Sequence, residues 1–373
     1  MRAMVLCGLT IAKYLHRKHK LVIISPSLKI LHLNLYALCS FCGEKLSSMK
    51  AVICEEFGAP EMLKFGELPD PIPGKNQVLI QVEVCGVSYP DLLIIQNKYQ
   101  FKPELPFSPG GEVVGKIIEL GEKVESLKVG DRVLALCRWG GFAGKAAVES
   151  DRVFVLPDGI SSETAASSLY TYSTSFHALK DRAQLTAGET LLVLGAAGGI
   201  GLAAVELGKA MGAKVIAAAS SDEKLALCKA KGADQTINYE REDLKGRIKE
   251  LTNGLGVDVV LDPVGGKYTE PALRGIAWKG RYLIVGFANG EIPKIPMNLP
   301  LLKGCSIVGV FWGNFSKLES EQNRSNMNQL YDWIFEGKIT GHAAVEYGLE
   351  DTKKALFALQ ERSNFNKGLV RIF

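Results

Sequence analysis

The chain has 373 residues, 47% of them apolar and 23% charged, which is ordinary globular composition and long enough for two domains. The formal net charge of +4 is unevenly held: residues 1–48 carry seven Lys/Arg against one acid, Glu44, so the remainder carries −2. A body of that sign argues against a basic nucleic-acid-binding surface, and the composition excludes a fibre, a repeat array or a disordered chain.

Residues 1–48 also hold three of the five His (His16, His19, His32) and three of the eight Cys (Cys7, Cys39, Cys42). The near absence of acids suits a transit peptide, although the segment is poor in the Ser and Arg that such peptides favour. Residues 21–42 are apolar, but Pro26, Lys29, His32 and Asn34 interrupt the run and argue against a membrane span. Cys39 and Cys42 have metal-ligand spacing with no second pair at zinc-site distance. A fresh pattern opens at Met49, so residues 1–48 are read as an extension the fold does not need, an artefact of the assigned start being one explanation. The other five cysteines stand singly in apolar surroundings, as buried small hydrophobes of a reducing compartment do. The expected location is the cytoplasm, or the mitochondrion if the extension acts as a transit segment.

From residue 49 to 160 short strands alternate with Gly and Pro turns (Pro69-Asp70-Pro71, Pro73-Gly74, Gly110-Gly111, Gly130-Asp131), the pattern of a compact β-barrel-like domain. Residues 161–180 read as a helix. From Thr190 onwards strands alternate with amphipathic helices, predicting a doubly wound parallel sheet, with helices around 223–231, 244–251 and 268–277. The tail from Asn326 reads as a helix (330–336), an extended piece, a helix (352–361) and a last strand (369–373) that returns to the first domain.

The second domain turns on ETLLVLGAAGGIGLAAVELGKAMGAKVIAAASS (189–221), a strand, glycine turn, helix and strand in one βαβ unit. Ala196, Gly198 and Gly201 hold the three positions of the dinucleotide fingerprint, with Ala in place of the first Gly. The free N–H groups at the helix start suit a pyrophosphate. An acid at the end of the second strand would favour NAD; here stand Ser220 and Ser221, with Lys224 one helical turn on, and hydroxyls plus a cation suit the 2′-phosphate of NADPH. Asp222 is the rival, since it could turn back onto the ribose, and Ser221 with Asp222 also reads as a helix N-cap. A short-chain reductase is disfavoured: its Tyr-x-x-x-Lys pair should follow the fingerprint, and the pair found, Tyr14 to Lys18, precedes it.

Residues 84–91 (VCGVSYPD), 106–115 (PFSPGGEVVG), 129–133 (VGDRV), 194–201 (LGAAGGIG), 232–239 (GADQTINY) and 258–266 (DVVLDPVGG) arrive in one order that resembles the medium-chain dehydrogenase/reductases, and within them the zinc-free quinone oxidoreductase branch of the zeta-crystallin type. The resemblance covers residues 49–373. It implies an α/β protein with a GroES-like β-rich catalytic domain (49–170, completed by 315–373) and a Rossmann domain (171–314). It implies an NADPH-dependent, metal-free transfer of hydride to a quinone. Reduction of activated C=C bonds in enals, enones or enoyl thioesters is the alternative, and a non-catalytic NADPH-binding protein of crystallin type stands as a reading of another class.

Zinc-dependent members carry a Cys where Ser88 stands and a His where Gly111 stands, and outside the extension the His are His177 and His342, too far apart in sequence for a metal site. The resemblance makes Ser88-Tyr89-Pro90-Asp91 the nicotinamide-side loop and places Ser88, Asp91 and Tyr99 on the catalytic side, with turn stabilisation open for Ser88 and Asp91 and loop packing for Tyr99. Glu112 keeps the family's acid, with a strand-cap or salt-bridge role. Cofactor positions carried over are Gly198, Gly199, Ile200 and Gly201 for the pyrophosphate and Ser220, Ser221 and Lys224 for the 2′-phosphate. Tyr239 falls to the adenosine, Thr174, Val264 and Phe287 to the nicotinamide half, and Lys367 to a late contact, with an exposed surface lysine as its rival reading. A homodimer through the last Rossmann strand (306–311) is expected, with a small-molecule quinone or enone as substrate and neither nucleic acid nor membrane as partner.

Overall fold

The computed structural model describes residues 21–25, 28–33, 47–361 and 366–373. The chain separates into two units, residues 1–49 with 67–70, and residues 50–66 with 71–373. In the first, β1 (Leu21–Ser25) and β2 (Leu28–Leu33) pair antiparallel with Leu21 opposite Leu33. Ser47 and Ser48 apart, the rest of the expected extension, including Cys39 and Cys42, lies outside the described residues. No described helix is long and apolar enough to cross a membrane.

After β3 (Ser48–Ile53) and β4 (Lys64–Pro69), the second unit builds a seven-stranded sheet around β5 (Gln77–Gly86). One edge of β5 pairs along its length with β6 (Glu112–Leu120), which passes the sheet on to β7 (Arg132–Leu136). Its other edge is shared: β8 (Lys145–Glu149) takes 77–81, while the late strand takes 84–86. Short β9 (Val153–Val155) closes the far side. Val78, Ile80 and Val82 alternate along β5 and are fully buried with Ile117 and Val133, each such side chain contributing about 1.5–3 kcal/mol.

The other sheet has six parallel strands: β10 (Thr190–Leu194), β11 (Lys214–Ala219), β12 (Gln235–Asn238), β13 (Val257–Asp262), β14 (Ile276–Ile284) and β15 (Ser306–Gly309), in the order β12-β11-β10-β13-β14-β15. The unbroken apolar run of β10 has its cause here. Leu191 and Val193 pack into one core and Leu192 and Leu194 into another, so both faces are covered. The strand order reverses between β10 and β13, and the carboxyl ends of such strands frame a ligand crevice.

Helices fill the connections: α1 (Tyr89–Ile95), α2 (Ser162–Phe176), α3 (Gly199–Ala210), α4 (Asp222–Ala230), α5 (Leu244–Leu251), α6 (Thr269–Arg274), α7 (Asn298–Lys303), α8 (Trp312–Leu318), α9 (Ser320–Phe335) and α10 (Thr352–Gln360). Several bounds differ from the sequence reading. Helix α2 gives way to a π-helical stretch over His177–Arg182, α9 begins ten residues before the expected 330, and residue 276 already belongs to β14. Helix α1 falls where a loop was expected. After α9, β16 (Ala344–Gly348) and β17 (Lys367–Arg371) pair with each other in parallel, and β17 joins the first sheet with Leu369 opposite Gly86.

Candidate active site

The turn after β10 needs small residues for distinct reasons. Gly195 has φ +58°, and a Cβ there would lie 2.6 Å from Val264 Cγ2. On Gly201 a Cβ would sit 2.3 Å from Gly195 O and 2.8 Å from Ala196 Cα, so α3 packs on its strand only without a side chain at that position. Gly198, the N-cap of α3, is different: a Cβ there meets nothing nearer than Gly195 O at 3.3 Å. Gly198 and Gly199 are exposed and Ile200 half-buried, so the start of α3, whose first N–H groups have no partner within the helix, is uncovered.

At the end of β11, Ser221 caps α4 by accepting from the Lys224 N–H at 3.4 Å, and Lys224 Nζ donates to Ser220 Oγ at 3.0 Å. The three residues are thereby gathered at one strand end. Asp222 faces elsewhere: it accepts from Asn238 Nδ2 at 2.7 Å and pairs with Arg241 at 2.8 Å. The Tyr239 ring lies 4.2 Å from that of Tyr268, tilted by 38°, and the Tyr268 hydroxyl donates to Glu240.

The turn after β13 is held by Asp262, which sequence reasoning did not single out. Its Oδ1 accepts from the Val264 and Gly265 N–H groups, its Oδ2 from the Thr269 and Tyr282 hydroxyls, all at 2.8 Å. This fixes Val264, which is buried. Thr174 on α2 is also buried and donates to Tyr170 O at 2.9 Å. Phe287 is half exposed and lines a cavity of 390 Å³ with Gln100, Val285, Gly286, Val310 and Phe311, beyond the carboxyl ends of β14 and β15.

The first sheet contributes a buried charged cluster. Ser88 caps α1, and Asp91 at the third helical position accepts from the Ser88 N–H at 2.7 Å, the reach-back bond of a capping box. Ser88, Pro90 and Asp91 are the sequence signal that the loop expectation overlooked. Glu112 opens β6; its Oε1 accepts from the Tyr170 N–H at 2.9 Å, while its Oε2 has no hydrogen-bond partner and faces Lys367 Nζ at 3.8 Å. Because β17 runs beside the end of β5, Lys367 is not a surface lysine: 9% of its side chain is exposed, and it donates to Ser88 Oγ at 2.7 Å. Burial pushes the carboxyls of Asp91 and Glu112 up to about 7, with the Lys367 ammonium opposing it in both and Asp91 adding to the rise in Glu112. Tyr99 packs edge-on against Phe101 at 6.0 Å, and burial raises its phenol pKa; Tyr170 stands edge-on to Trp312 at 5.2 Å.

Sequence comparison agrees with this layout. Residues 74–158 match the alcohol dehydrogenase GroES-like domain and residues 199–334 the zinc-binding dehydrogenase family. The chain is 39% identical over 326 residues to the quinone oxidoreductase-like protein 2 homolog of Nematostella vectensis, covering 87% of this chain and 89% of that one. It is 35% identical to quinone oxidoreductase-like protein 2 of Rattus norvegicus over 90% and 96% of the two chains. Among solved structures, the quinone oxidoreductase of Pseudomonas syringae is similar with a TM-score of 0.82 at 28% identity, and that of Escherichia coli, complexed with NADPH, with 0.80 at 28%. Both similarities cover 87% of this chain and 100% of the other.

A GroES-like sheet followed by a Rossmann sheet with a bare glycine turn defines the medium-chain dehydrogenase/reductase fold. Within that class the chain belongs to the quinone oxidoreductase-like family, a family of oxidoreductases.

Proposed function

We propose that the chain is an NADPH-dependent reductase that passes hydride to a quinone without zinc. The observation that carries the cofactor reading is the Lys224–Ser220 contact, which gathers a cation and two hydroxyls at the end of β11 while Asp222 is engaged with Asn238 and Arg241. Relatives solved with NADPH support it. In this reading the amides of Gly198, Gly199, Ile200 and Gly201 hold the pyrophosphate, Ser220, Ser221 and Lys224 the 2′-phosphate, and Tyr239 the adenosine. Thr174, Val264 and Phe287 line the nicotinamide half, where the bound coenzyme supplies the hydride.

The chain's own residues then support the acceptor oxygen as it gains charge. Ser88 Oγ accepts from Lys367, which leaves its own proton to be donated. Asp91, fully buried and bonded to backbone N–H groups, positions α1 and so Ser88; Tyr99 closes the substrate side. Where zinc-dependent relatives would need ligands, Ser88 and Glu112 face an ammonium, and among the described residues no three His, Cys, Asp or Glu are grouped to hold a metal. These residues do not fit a catalytic zinc. The largely apolar cavity beside Phe287 also accepts a flat enone, so C=C reduction is the second reading.

Residues 49–170 with 315–373 are taken as the catalytic domain and 171–314 as the coenzyme domain. The described cysteines are all free thiols, which suits the cytosol. A homodimer is proposed through the edge strand β15. The test is steady-state oxidation of NADPH and NADH by the full chain, with quinones and enones side by side. Quenching of NADPH fluorescence without turnover would support the crystallin-like reading instead.

A further inference from the structure

Gln100 stands on the loop after α1, between Tyr99 and Phe101, whose rings pack edge-on with centroids 6.0 Å apart. The guanidinium carbon of Arg138 lies 4.3 Å over the Phe101 ring and helps to anchor that loop. Gln100 is thereby held at the 390 Å³ cavity, and it is the one residue of the lining with a polar side chain. The other side chains there, Ile284, Val285, Phe287, Val310 and Phe311, are apolar. Backbone donors are largely spent: Val285 N–H donates to Asp262 O at 2.9 Å, Gly286 N–H to the same oxygen at 3.4 Å, and Val310 N–H to Ile284 O at 2.9 Å. Gln100 itself is exposed, and among the described residues its amide makes no hydrogen bond. An uncommitted amide with two N–H donors, set in an otherwise apolar lining, is the kind of group that fixes a ligand's orientation.

We infer that Gln100 selects the acceptor by donating to a second carbonyl oxygen, one other than the oxygen that Ser88 supports, so that an ene-dione or a para-quinone is preferred to an enone with one carbonyl. The inference rests on the reductase reading above and adds the substrate class to it. Its physical reason works in both directions. A second carbonyl shut into the cavity without a donor loses its water and gains nothing in return, while an acceptor with only hydrocarbon at that end leaves the Gln100 amide covered and unpaired. A site with such a group rejects the analogue that lacks the matching polar atom, which apolar walls alone do not achieve.

The experiment uses the full chain, NADPH and three acceptors: 4-oxoisophorone, isophorone, which has the same ring without the second carbonyl, and 1,4-naphthoquinone. The readout is the ratio of kcat/KM, dione over enone, in which the intrinsic reactivity of each acceptor cancels between unaltered protein and variant. Gln100→Met, similar in length but without a donor, is expected to lower that ratio roughly 10-fold, the order of a hydrogen bond lost from a buried carbonyl, and to lower kcat/KM for 1,4-naphthoquinone by a similar factor. Gln100→Glu keeps length and polarity but puts a carboxylate where the donors were, and is expected to lose at least as much, which a side chain that only fills space would not show. A ratio and a naphthoquinone turnover unchanged in both variants overturn the inference alone. So does a loss shared by all three acceptors and explained by a raised KM for NADPH, since the amide would then serve the coenzyme. An unaltered protein that oxidises NADPH with none of the three acceptors overturns the reductase reading, and the inference with it.

Discussion

Lys367 donates to Ser88 Oγ at 2.7 Å, tying the last strand of the chain to the first turn of α1 across 279 residues. The pairing of β17 with the end of β5 makes the contact possible, since Val87 N–H bonds Gly368 O at 2.9 Å one step away. One ammonium therefore faces a hydroxyl and two buried carboxyls. In the metal-free reading proposed above, this ammonium stands where zinc-dependent members of the same fold would hold a metal.

The pair of buried carboxyls sets a pH dependence. Asp91 and Glu112 have folded pKa values near 7, above the ordinary carboxylate range, because burial disfavours their charged forms. The folded state thus binds more protons than the unfolded state between about pH 4 and 7, and this contribution to stability is lost as pH rises through that window. Glu112→Gln removes one of the two protons. The variant is expected to be worse than the unaltered protein at pH 5 and to gain on it by roughly 3 kcal/mol by pH 8. Urea denaturation at the two pH values measures this, and a pH-independent difference would reject it.

Gly198 and Gly201 are expected to fail in different ways. A Cβ on Gly201 meets the backbone at 2.3 Å, so Gly201→Ala should cost about 1–3 kcal/mol of stability or more as α3 is pushed off β10. A Cβ on Gly198 meets only Gly195 O at 3.3 Å. Gly198→Ala should melt within a few degrees of the unaltered protein yet bind NADPH more weakly, because the methyl occupies the approach to the pyrophosphate. Thermal melts and fluorescence titration of both variants separate the two roles.

Much of this was legible because it is local. The unalternating run at 191–194 announced a strand covered on both faces, and the glycine turn and Ser220 follow within one βαβ unit, with Lys224 one helical turn beyond it. The contacts that organise the catalytic side are long-range. Nothing near Lys367 in sequence says that it lies against Ser88 and Glu112, and Glu112 does not disclose an unpaired oxygen. Asp262 was passed over because its four partners lie on a turn, a helix and another strand. Helix α1 is the exception: Ser88, Pro90 and Asp91 are a local start signal, read instead as a loop.

The edge of the six-stranded sheet predicts an assembly. Strand β15 pairs on one side with β14, and Ile307, with Trp278, Leu301 and Leu302 nearby in the chain's last Rossmann elements, is exposed. An open strand edge with apolar neighbours favours pairing with a second copy. Ile307→Lys is expected to shift the protein from twice the chain mass to the chain mass in light scattering. A monomeric unaltered protein would remove the proposal.

Metal analysis of purified protein is expected to find no stoichiometric zinc, and chelator treatment to leave turnover and melting temperature unchanged. The residues facing Lys367 would have to give up their ammonium to admit a dication beside it. Loss of activity on chelation, restored by zinc, would reject the metal-free reading.

Lys224 gives the sharpest test of coenzyme choice. Its Nζ reaches Ser220 Oγ at 3.0 Å, and the proposed coenzyme reading puts the adenosine 2′ substituent against this pair. A phosphate there gains a charge-assisted hydrogen bond of about 1.5–3 kcal/mol, which a 2′-hydroxyl gains only in small part. Lys224→Ala should therefore raise the KM for NADPH roughly 10-fold or more while the KM for NADH changes little. Ser221 remains as the N-cap of α4, so the fold has no reason to suffer. If both coenzymes weaken equally, the lysine is not reading the 2′ position. If Asp222→Ala instead restores or improves NADPH binding at the expense of NADH, the acid rather than the cation governs the choice.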